Sequence, residues 1–132
     1  MATQTAVIID HDVDSADLIA DTLAPRYKVD APRSVADAMN RPFEVAPAIV
    51  LIERSTLGPL DALLTFIRTL RERQPNVAIV VTGHKRFPST EVVGCLEAGA
   101  DDCIAIPFHP RELAARVDGI VGRRSMTERD SD

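Results

Sequence analysis

The chain has few cysteines, no excess of positive charge and no long apolar run, and each shortage excludes a class of protein. Its only cysteines, Cys95 and Cys103, form no CxxC pair, so neither a disulfide framework nor a zinc site is predicted. The formal net charge of -5 argues against a surface that neutralises the phosphates of a nucleic acid. Nucleic-acid binding is therefore not expected.

Signals for membranes and for common catalytic or nucleotide sites are also missing. No apolar run approaches the ~20 residues of a membrane span, and the N-terminus lacks the pattern of a secretory signal. We therefore expect a cytoplasmic protein that does not bind membranes. Gly-rich phosphate loops are absent, which leaves nucleotide binding unsupported. Without a GxSxG nucleophile turn, a hydrolase is poorly supported as well.

What the chain does contain is the composition of an ordinary folded domain. Its residues are 45% hydrophobic and 27% charged, as in soluble globular proteins. A length of 132 residues leaves room for one domain. We expect that domain at residues 1–124, followed by a polar tail at 125–132, with the stretch from residue 123 onward frayed.

Short apolar segments alternate with helical patterns along the chain. Strands are predicted at residues 5–10, 27–31, 48–53, 76–83 and 103–106. The helices between and after them are predicted from their start and stop signals: N-caps at Asp14, Ser34 and Ser89, first turns at Pro59 and Pro110, stops at Pro25 and Pro42, and an αL cap at Gly99. This alternation predicts an α/β fold, a doubly wound (βα)5 domain with a five-stranded parallel sheet.

The segment AIVLIERSTLGPL places a carboxylate, Glu53, at the end of the predicted third strand. Parallel sheets bind ligands at the carboxyl ends of their strands, where the following loops meet. The loops after strands one, three and four carry these polar residues: Asp10, His11, Asp12, Glu53, Arg54, Thr82 and His84. We therefore predict a cleft that gathers carboxylates, imidazoles and a hydroxyl.

Four segments carry a family resemblance: VIIDHDVDS, AIVLIE, VVTG and GADDCIAIPF. With them the chain resembles, from residue 5 to about 123, the CheY-like receiver domains of bacterial response regulators, which share the flavodoxin-like fold. The resemblance implies a role in two-component (phosphorelay) signal transduction. It also implies that Glu53 holds the phosphoacceptor position and Thr82 the switch position. The lysine position would be Ile106, before a Pro107 in the cis form.

The sequence differs from the family's pattern at the positions that supply the family's chemistry. In the family, an Asp accepts a phosphoryl group with Mg²⁺ held by acids and the phosphoryl oxygens held by Lys and Thr. Phosphoryl transfer depends on such positioning and charge neutralisation. Here the acceptor position holds Glu, the Lys position holds an uncharged Ile, and His11 lies between the acidic-pocket residues Asp10 and Asp12. Imidazole suits Mg²⁺ poorly. The aromatic switch position holds Cys103.

We therefore predict a stand-alone, atypical receiver, or pseudo-receiver, that is not an enzyme. It would bind a protein such as a histidine kinase or another regulator, or a second copy of itself, through helix four, strand five and helix five. Glu53 is predicted either to bias the domain toward one signalling state or to be a solvated or hydrogen-bonded acid with no switching role. His11 is predicted to pair with Glu53 or Asp10, which would make the pair sensitive to pH.

Other interpretations stay open. The receiver could still accept a phosphoryl group at a non-standard residue, with Mg²⁺ at Asp10 and Asp12 and residual autophosphatase chemistry. A metal could bind Asp10 and Glu53, with His11 completing a transition-metal site, although no cofactor is expected. Lys85 and Arg86 could replace the missing cation. A flavodoxin-like small-molecule binder is a further alternative. Both cysteines are expected to be small buried hydrophobes rather than redox sensors.

Overall fold

The computed structural model describes residues 3–84 and 87–130, with side chains through residue 126. Strands and helices alternate along this part of the chain. Their bounds are β1 Thr5–Ile9, α1 Val13–Leu23, β2 Lys28–Asp30, α2 Val35–Val45, β3 Ile49–Glu53, α3 Leu60–Arg73, β4 Ala78–Gly83, α4 Ser89–Ala98, β5 Asp102–Ala105 and α5 Pro110–Asp130.

The strands form one parallel sheet in the order β2-β1-β3-β4-β5. The predicted doubly wound (βα)5 fold is therefore confirmed. The strand order reverses beside β1, which has β2 on one side and β3 on the other. In such sheets the crevice at the reversal, beyond the carboxyl ends of the strands, is where ligands bind.

Two hydrophobic layers pack on opposite faces of the sheet because neighbouring strand residues point to opposite sides. In β1, Ala6 and Ile8 face the layer covered by α1 and α5. Val7 and Ile9 face the layer covered by α2, α3 and α4. All four are at most 1% exposed, so burial on both faces explains the continuous apolar run in the sequence.

The first two helices differ from their predicted bounds. Helix α1 begins at Val13 because Asp12, rather than Asp14, is the N-cap and accepts hydrogen bonds from the backbone N–H groups of Asp14 and Ser15. Helix α2 passes through Pro42 and ends at Val45. A proline removes one helical hydrogen bond, but Pro42 is buried and its carbonyl accepts a bond from Gln74 Nε2 at 2.7 Å.

The last two helices differ as well. Ser89 is the first residue of α4, and Pro88 holds the N-cap position without a side-chain hydrogen bond. Gly99 is the C-cap of that helix. Its φ of 129° is more positive than the φ of the αL conformation predicted for it. Helix α5 continues to Asp130 instead of fraying after residue 123, and Arg124 anchors it to Asp101. Where the domain ends, at 124 or beyond, stays a prediction.

No helix in the described ranges combines the length and the hydropathy that crossing a bilayer requires. The predicted cytoplasmic location itself is not tested by this observation.

Asp101 joins three elements at the start of β5. Its Oδ2 accepts hydrogen bonds from Arg71 Nη2 of α3 at 3.0 Å and from the backbone N–H of Ile79 in β4 at 2.8 Å. Its Oδ1 accepts two bonds from Arg124 of α5, at 2.9 and 2.6 Å. The carboxylate is only 14% exposed. Removing one member of such a pair leaves charges without partners in a poorly solvated place.

We expect Asp101→Ala to lower the free energy of unfolding by about 3 kcal/mol, because Arg71 and Arg124 lose their shared carboxylate. Arg116→Ala is the matched control, since Arg116 is half-exposed in its ion pair with Asp102. It should change stability by less than about 0.5 kcal/mol. Urea denaturation of both variants gives the comparison, and equal effects would contradict the role assigned to Asp101.

Candidate functional site

The loops that follow β1, β3 and β4 meet at one edge of the sheet. The strand register places Ile9 beside Ile52, and Glu53 directly beside Thr82. Asp10 follows Ile9 in the sequence, so it enters the same cleft as Glu53. Thr82 is 1% exposed and Glu53 2% exposed. The structure thus brings together the carboxylates and the hydroxyl that the sequence placed at these strand ends.

The Glu53 carboxylate is held by the loop that immediately follows it. Its Oε2 accepts a hydrogen bond from the backbone N–H of Ser55 at 3.0 Å. Its Oε1 accepts bonds from Ser55 Oγ at 2.7 Å and from Thr56 Oγ1 at 3.0 Å. Both oxygens therefore have protein donors, which stabilise a buried charge that would otherwise be costly.

His11 reaches the same carboxylate from the loop after β1. Its Nδ1 lies 3.3 Å from Glu53 Oε1 and 2.9 Å from Thr56 Oγ1, and its backbone N–H donates to Thr56 Oγ1 at 3.1 Å. A carboxylate only accepts hydrogen bonds, so the single hydroxyl proton of Thr56 goes to Glu53. We infer that Nδ1 of His11 carries the proton that completes this arrangement.

Asp10 is less well satisfied than Glu53. Its Oδ1 accepts a bond from the backbone N–H of Asp12 at 2.9 Å. Its Oδ2 is buried and has no hydrogen-bond partner among the described residues. Burial raises the pKa of the Asp10 carboxyl above its ordinary value of 3.8, and the negative charge of Glu53 adds to this effect.

The main contact of the Asp12 side chain is the N-cap of α1. Its Oδ1 caps α1, and its Oδ2 lies 3.7 Å from Nε2 of His84. Ser15 Oγ lies 3.1 Å from the same nitrogen. A Ser-His-Asp triad uses both ring nitrogens of its histidine. Because Ser15 and Asp12 contact one nitrogen, this cluster is not a catalytic triad.

At the position that the resemblance assigns to a lysine, the chain has Ile106. Ile106 is half-buried, and its peptide bond to Pro107 is cis. Arg54 pairs with Glu91 of α4 and donates to the carbonyl of Gly58 at 3.4 Å, and it lines the same cavity as Glu53. Lys85 and Arg86, the predicted substitutes, lie outside the described residues.

Two features of the site are absent from the sequence predictions. The first is the pair of hydroxyls, Ser55 and Thr56, that hold Glu53. Their position directly after a strand-end acid is a usable signal, because Ser and Thr side chains bond to groups close by in the chain. The second is the ion pair between Arg54 and Glu91. These residues are 37 positions apart, and no local pattern links them.

The residues present do not fit the Mg²⁺ site that the family implies. Asp10, His11 and Glu53 each offer one ligand atom, and these atoms lie within 4.8 Å of one another. Mg²⁺ demands octahedral oxygen ligands. Here one of the three candidate ligands is an imidazole, and the Glu53 oxygens already accept bonds from Ser55 and Thr56. A transition metal at these residues stays a prediction.

We expect Asp10→Asn to raise stability at neutral pH by at most about 1 kcal/mol, because Asn keeps the Oδ1 acceptor and removes a half-buried charge. A raised folded-state pKa means that the protonated acid favours folding. The gain should therefore shrink as the pH falls through that raised pKa and vanish below the ordinary value of 3.8.

Asp14→Asn is the matched control for this pH dependence. Asp14 is exposed in the first turn of α1, where a negative charge is favourable at the helix N-terminus. Its substitution should lower stability slightly. Thermal unfolding between pH 3 and pH 7, a range chosen to span roughly the titration of Asp, gives both curves. A gain for Asp10→Asn that does not depend on pH would contradict the account of the carboxyl.

Comparisons with known proteins give the following results. No family model matches this chain. It is 33% identical over 129 residues to the regulatory protein VirG of Rhizobium rhizogenes, covering 96% of this chain and 52% of that protein. It is 31% identical over 96 residues to the transcriptional regulatory protein PrrA of Mycobacterium leprae, covering 73% and 40%. The chain thus spans about half of these relatives or less.

A solved structure has a similar fold. The response regulator receiver domain protein (CheY-like) of Methanospirillum hungatei superposes with a TM-score of 0.83 at 16% identity, covering 96% of this chain and 99% of that one. At this identity the superposition concerns the fold alone. It agrees with the sheet order and helix placement described above.

Proposed function

This chain is a CheY-like receiver domain of the response-regulator family of two-component signalling, and we propose that it signals by binding a protein partner without being phosphorylated. The observation that carries the proposal is the environment of Glu53. Its carboxylate stands at the acceptor position and already accepts hydrogen bonds from Ser55 and Thr56. A group held in this way is poorly placed to attack a phosphorus atom.

Charge supports the same conclusion. A phosphoryl group adds roughly 1.5 to 2 negative charges, and these need cations or donors. Ile106 offers neither at the lysine position, and the Mg²⁺ ligands are incomplete. The carboxylates of Glu53 and Asp10 already lie close together, and burial and the negative charge of Glu53 both raise the pKa of Asp10. A further anion would add to that repulsion.

The proposed output surface is formed by α4, β5 and α5. Helix α4 exposes Val93 and Leu96, which are 50% and 44% exposed. The ion pair between Arg54 and Glu91 links α4 to the residue after Glu53. The state of the Glu53 loop can therefore affect the position of α4. The partner we propose is a histidine kinase, another regulator or a second copy of the chain.

The test is an amide NMR titration with Mg²⁺ and then beryllofluoride, a phosphoryl mimic that needs an acceptor carboxylate and a metal. We expect no localised shift in the wild-type protein. The matched variant His11→Asp/Glu53→Asp/Ile106→Lys restores the family's residue types. It should show shifts at Thr82 that spread to α4. Shifts of this kind in the wild type, or an acid-labile phosphate after treatment with acetyl phosphate, would refute the proposal.

A second test addresses whether Glu53 biases the domain. We expect Glu53→Gln to cost about 1 to 2 kcal/mol of stability, because an amide nitrogen cannot accept the hydrogen bonds that one carboxylate oxygen accepts. The substitution should also shift the amides of Thr82 and α4. Glu72→Gln, on the exposed side of α3, is the control and should stay within about 0.5 kcal/mol of wild type.

Glu53→Asp completes the series because it keeps the charge and shortens the side chain. We expect it to shift the α4 amides as well, since the shorter carboxylate loses the bonds to Ser55 and Thr56. If α4 shows no response to Gln or to Asp, Glu53 is a solvated or hydrogen-bonded acid with no switching role.

A further inference from the structure

Gly83, the last residue of β4, lies against the ring of Phe87. A Cβ atom added to Gly83 would lie 2.7 Å from Cζ of Phe87 and 3.1 and 3.2 Å from its two Cε atoms. Carbon atoms that are not bonded to each other normally lie about 3.5 to 4.0 Å apart. The φ angle of Gly83 is not positive, so the ring of Phe87, and not the backbone conformation, excludes a side chain at this position.

This contact lies between the carboxylate site and α4. On one side, Thr82 precedes Gly83 in β4 and pairs with Glu53 of β3. On the other side, Phe87 precedes Pro88, which is the N-cap of α4. The ring also packs, partly buried, against the layer covered by α2, α3 and α4. Packed groups therefore form a continuous path from Glu53 to α4, and the contact between Gly83 and Phe87 is one step of that path.

The ring has space beside it. A cavity of about 510 Å³ is lined by Phe87 and Gly83, and also by Arg54 and Ser55 of the loop that holds Glu53. Cavities of this size accept small molecules in other proteins, so this one can accept a phenyl ring. When the loop after Glu53 moves, the space that is open to the ring changes.

The predicted switch position on β5 has no comparable side chain. Cys103 is half-buried, contrary to the expectation that both cysteines are buried, and it packs against the same layer as Phe87. Among the described residues, Phe87 rather than Cys103 lines the cavity next to the carboxylate site. An aromatic group that moves at this place therefore comes from the loop before α4 and not from β5.

We propose that Phe87 is the positioning residue through which the Glu53 loop sets the position of α4. Its ring lies on Gly83 in one state and turns into the cavity in the other. Side chains change between staggered rotamers, so this contact has two discrete arrangements, as an element that couples two sites requires. Because Pro88 follows Phe87 directly, the start of α4 moves with the ring. This role rests on the proposed function, since it names a contact by which the Glu53 loop acts on α4.

The first test is a double-mutant cycle across the contact, measured by urea denaturation. We expect Gly83→Ala to lower the folding equilibrium constant roughly tenfold, because the added methyl group overpacks the ring. Added to Phe87→Leu, which lacks the ring tip, the same change should cause little or no loss. Gly94→Ala in α4 is the matched control, since a Cβ atom there would lie 3.7 Å from Cδ1 of Leu64. No loss in Gly83→Ala, or an equal loss in both backgrounds, would overturn the contact.

The second test is the transmission from Glu53 to α4, measured by amide NMR. Glu53→Gln is expected to shift the α4 amides of the otherwise wild-type chain. We expect these shifts to be lost when Glu53→Gln is made in the Phe87→Leu variant. Phe43→Leu is the matched control, because the ring of Phe43 in α2 packs edge-on against that of Phe66 in α3. It should leave the shifts in place.

The outcomes separate the role of Phe87 from the proposed function. If α4 responds to Glu53→Gln in the otherwise wild-type chain and in the Phe87→Leu variant alike, the role of Phe87 alone is overturned. If Phe43→Leu also abolishes the response, the loss is not specific to Phe87, and its role is overturned as well. If α4 does not respond in the otherwise wild-type chain, the proposed bias by Glu53 fails, and the role of Phe87 fails with it.

Discussion

The arrangement of this site depends on one buried carboxylate that is hydrogen-bonded to its own loop. Glu53 ends β3 at 2% exposure and accepts bonds from the two residues that follow Arg54 in the chain. A buried charge is tolerated only with partners of this kind. Once Ser55 and Thr56 satisfy the carboxylate, the loop after β3 is fixed, and the neighbouring groups have to adjust to its position.

The neighbours of Glu53 show that adjustment. The Nδ1 atom of His11 faces the carboxylate at 3.3 Å. Asp10 keeps one oxygen without a partner among the described residues, and its pKa is raised. Asp10 thus lacks a partner for one oxygen among the described residues, whereas both oxygens of Glu53 have donors. These differences in pairing explain why we propose binding rather than phosphoryl transfer as the activity of the domain.

Helix α4 connects the carboxylate site with the proposed output surface. Near its N-terminus, Glu91 pairs with Arg54, the residue that follows Glu53 in the chain. The state of the Glu53 loop would therefore act on this helix. That helix also carries the exposed Val93 and Leu96 of the proposed output surface.

The sequence by itself determined the fold class, the strand positions within about two residues and the convergence of Asp10, Glu53 and Thr82. These features follow from local hydrophobic patterns and from the geometry of parallel sheets. It predicted the wrong N-cap for α1, and it stopped α2 at Pro42, because a cap and a tolerated proline depend on hydrogen bonds that only the folded chain supplies. The tertiary structure alone decided which donors hold Glu53 and that Arg54 pairs with Glu91. Each of these depends on side-chain positions or long-range contacts that no local pattern encodes.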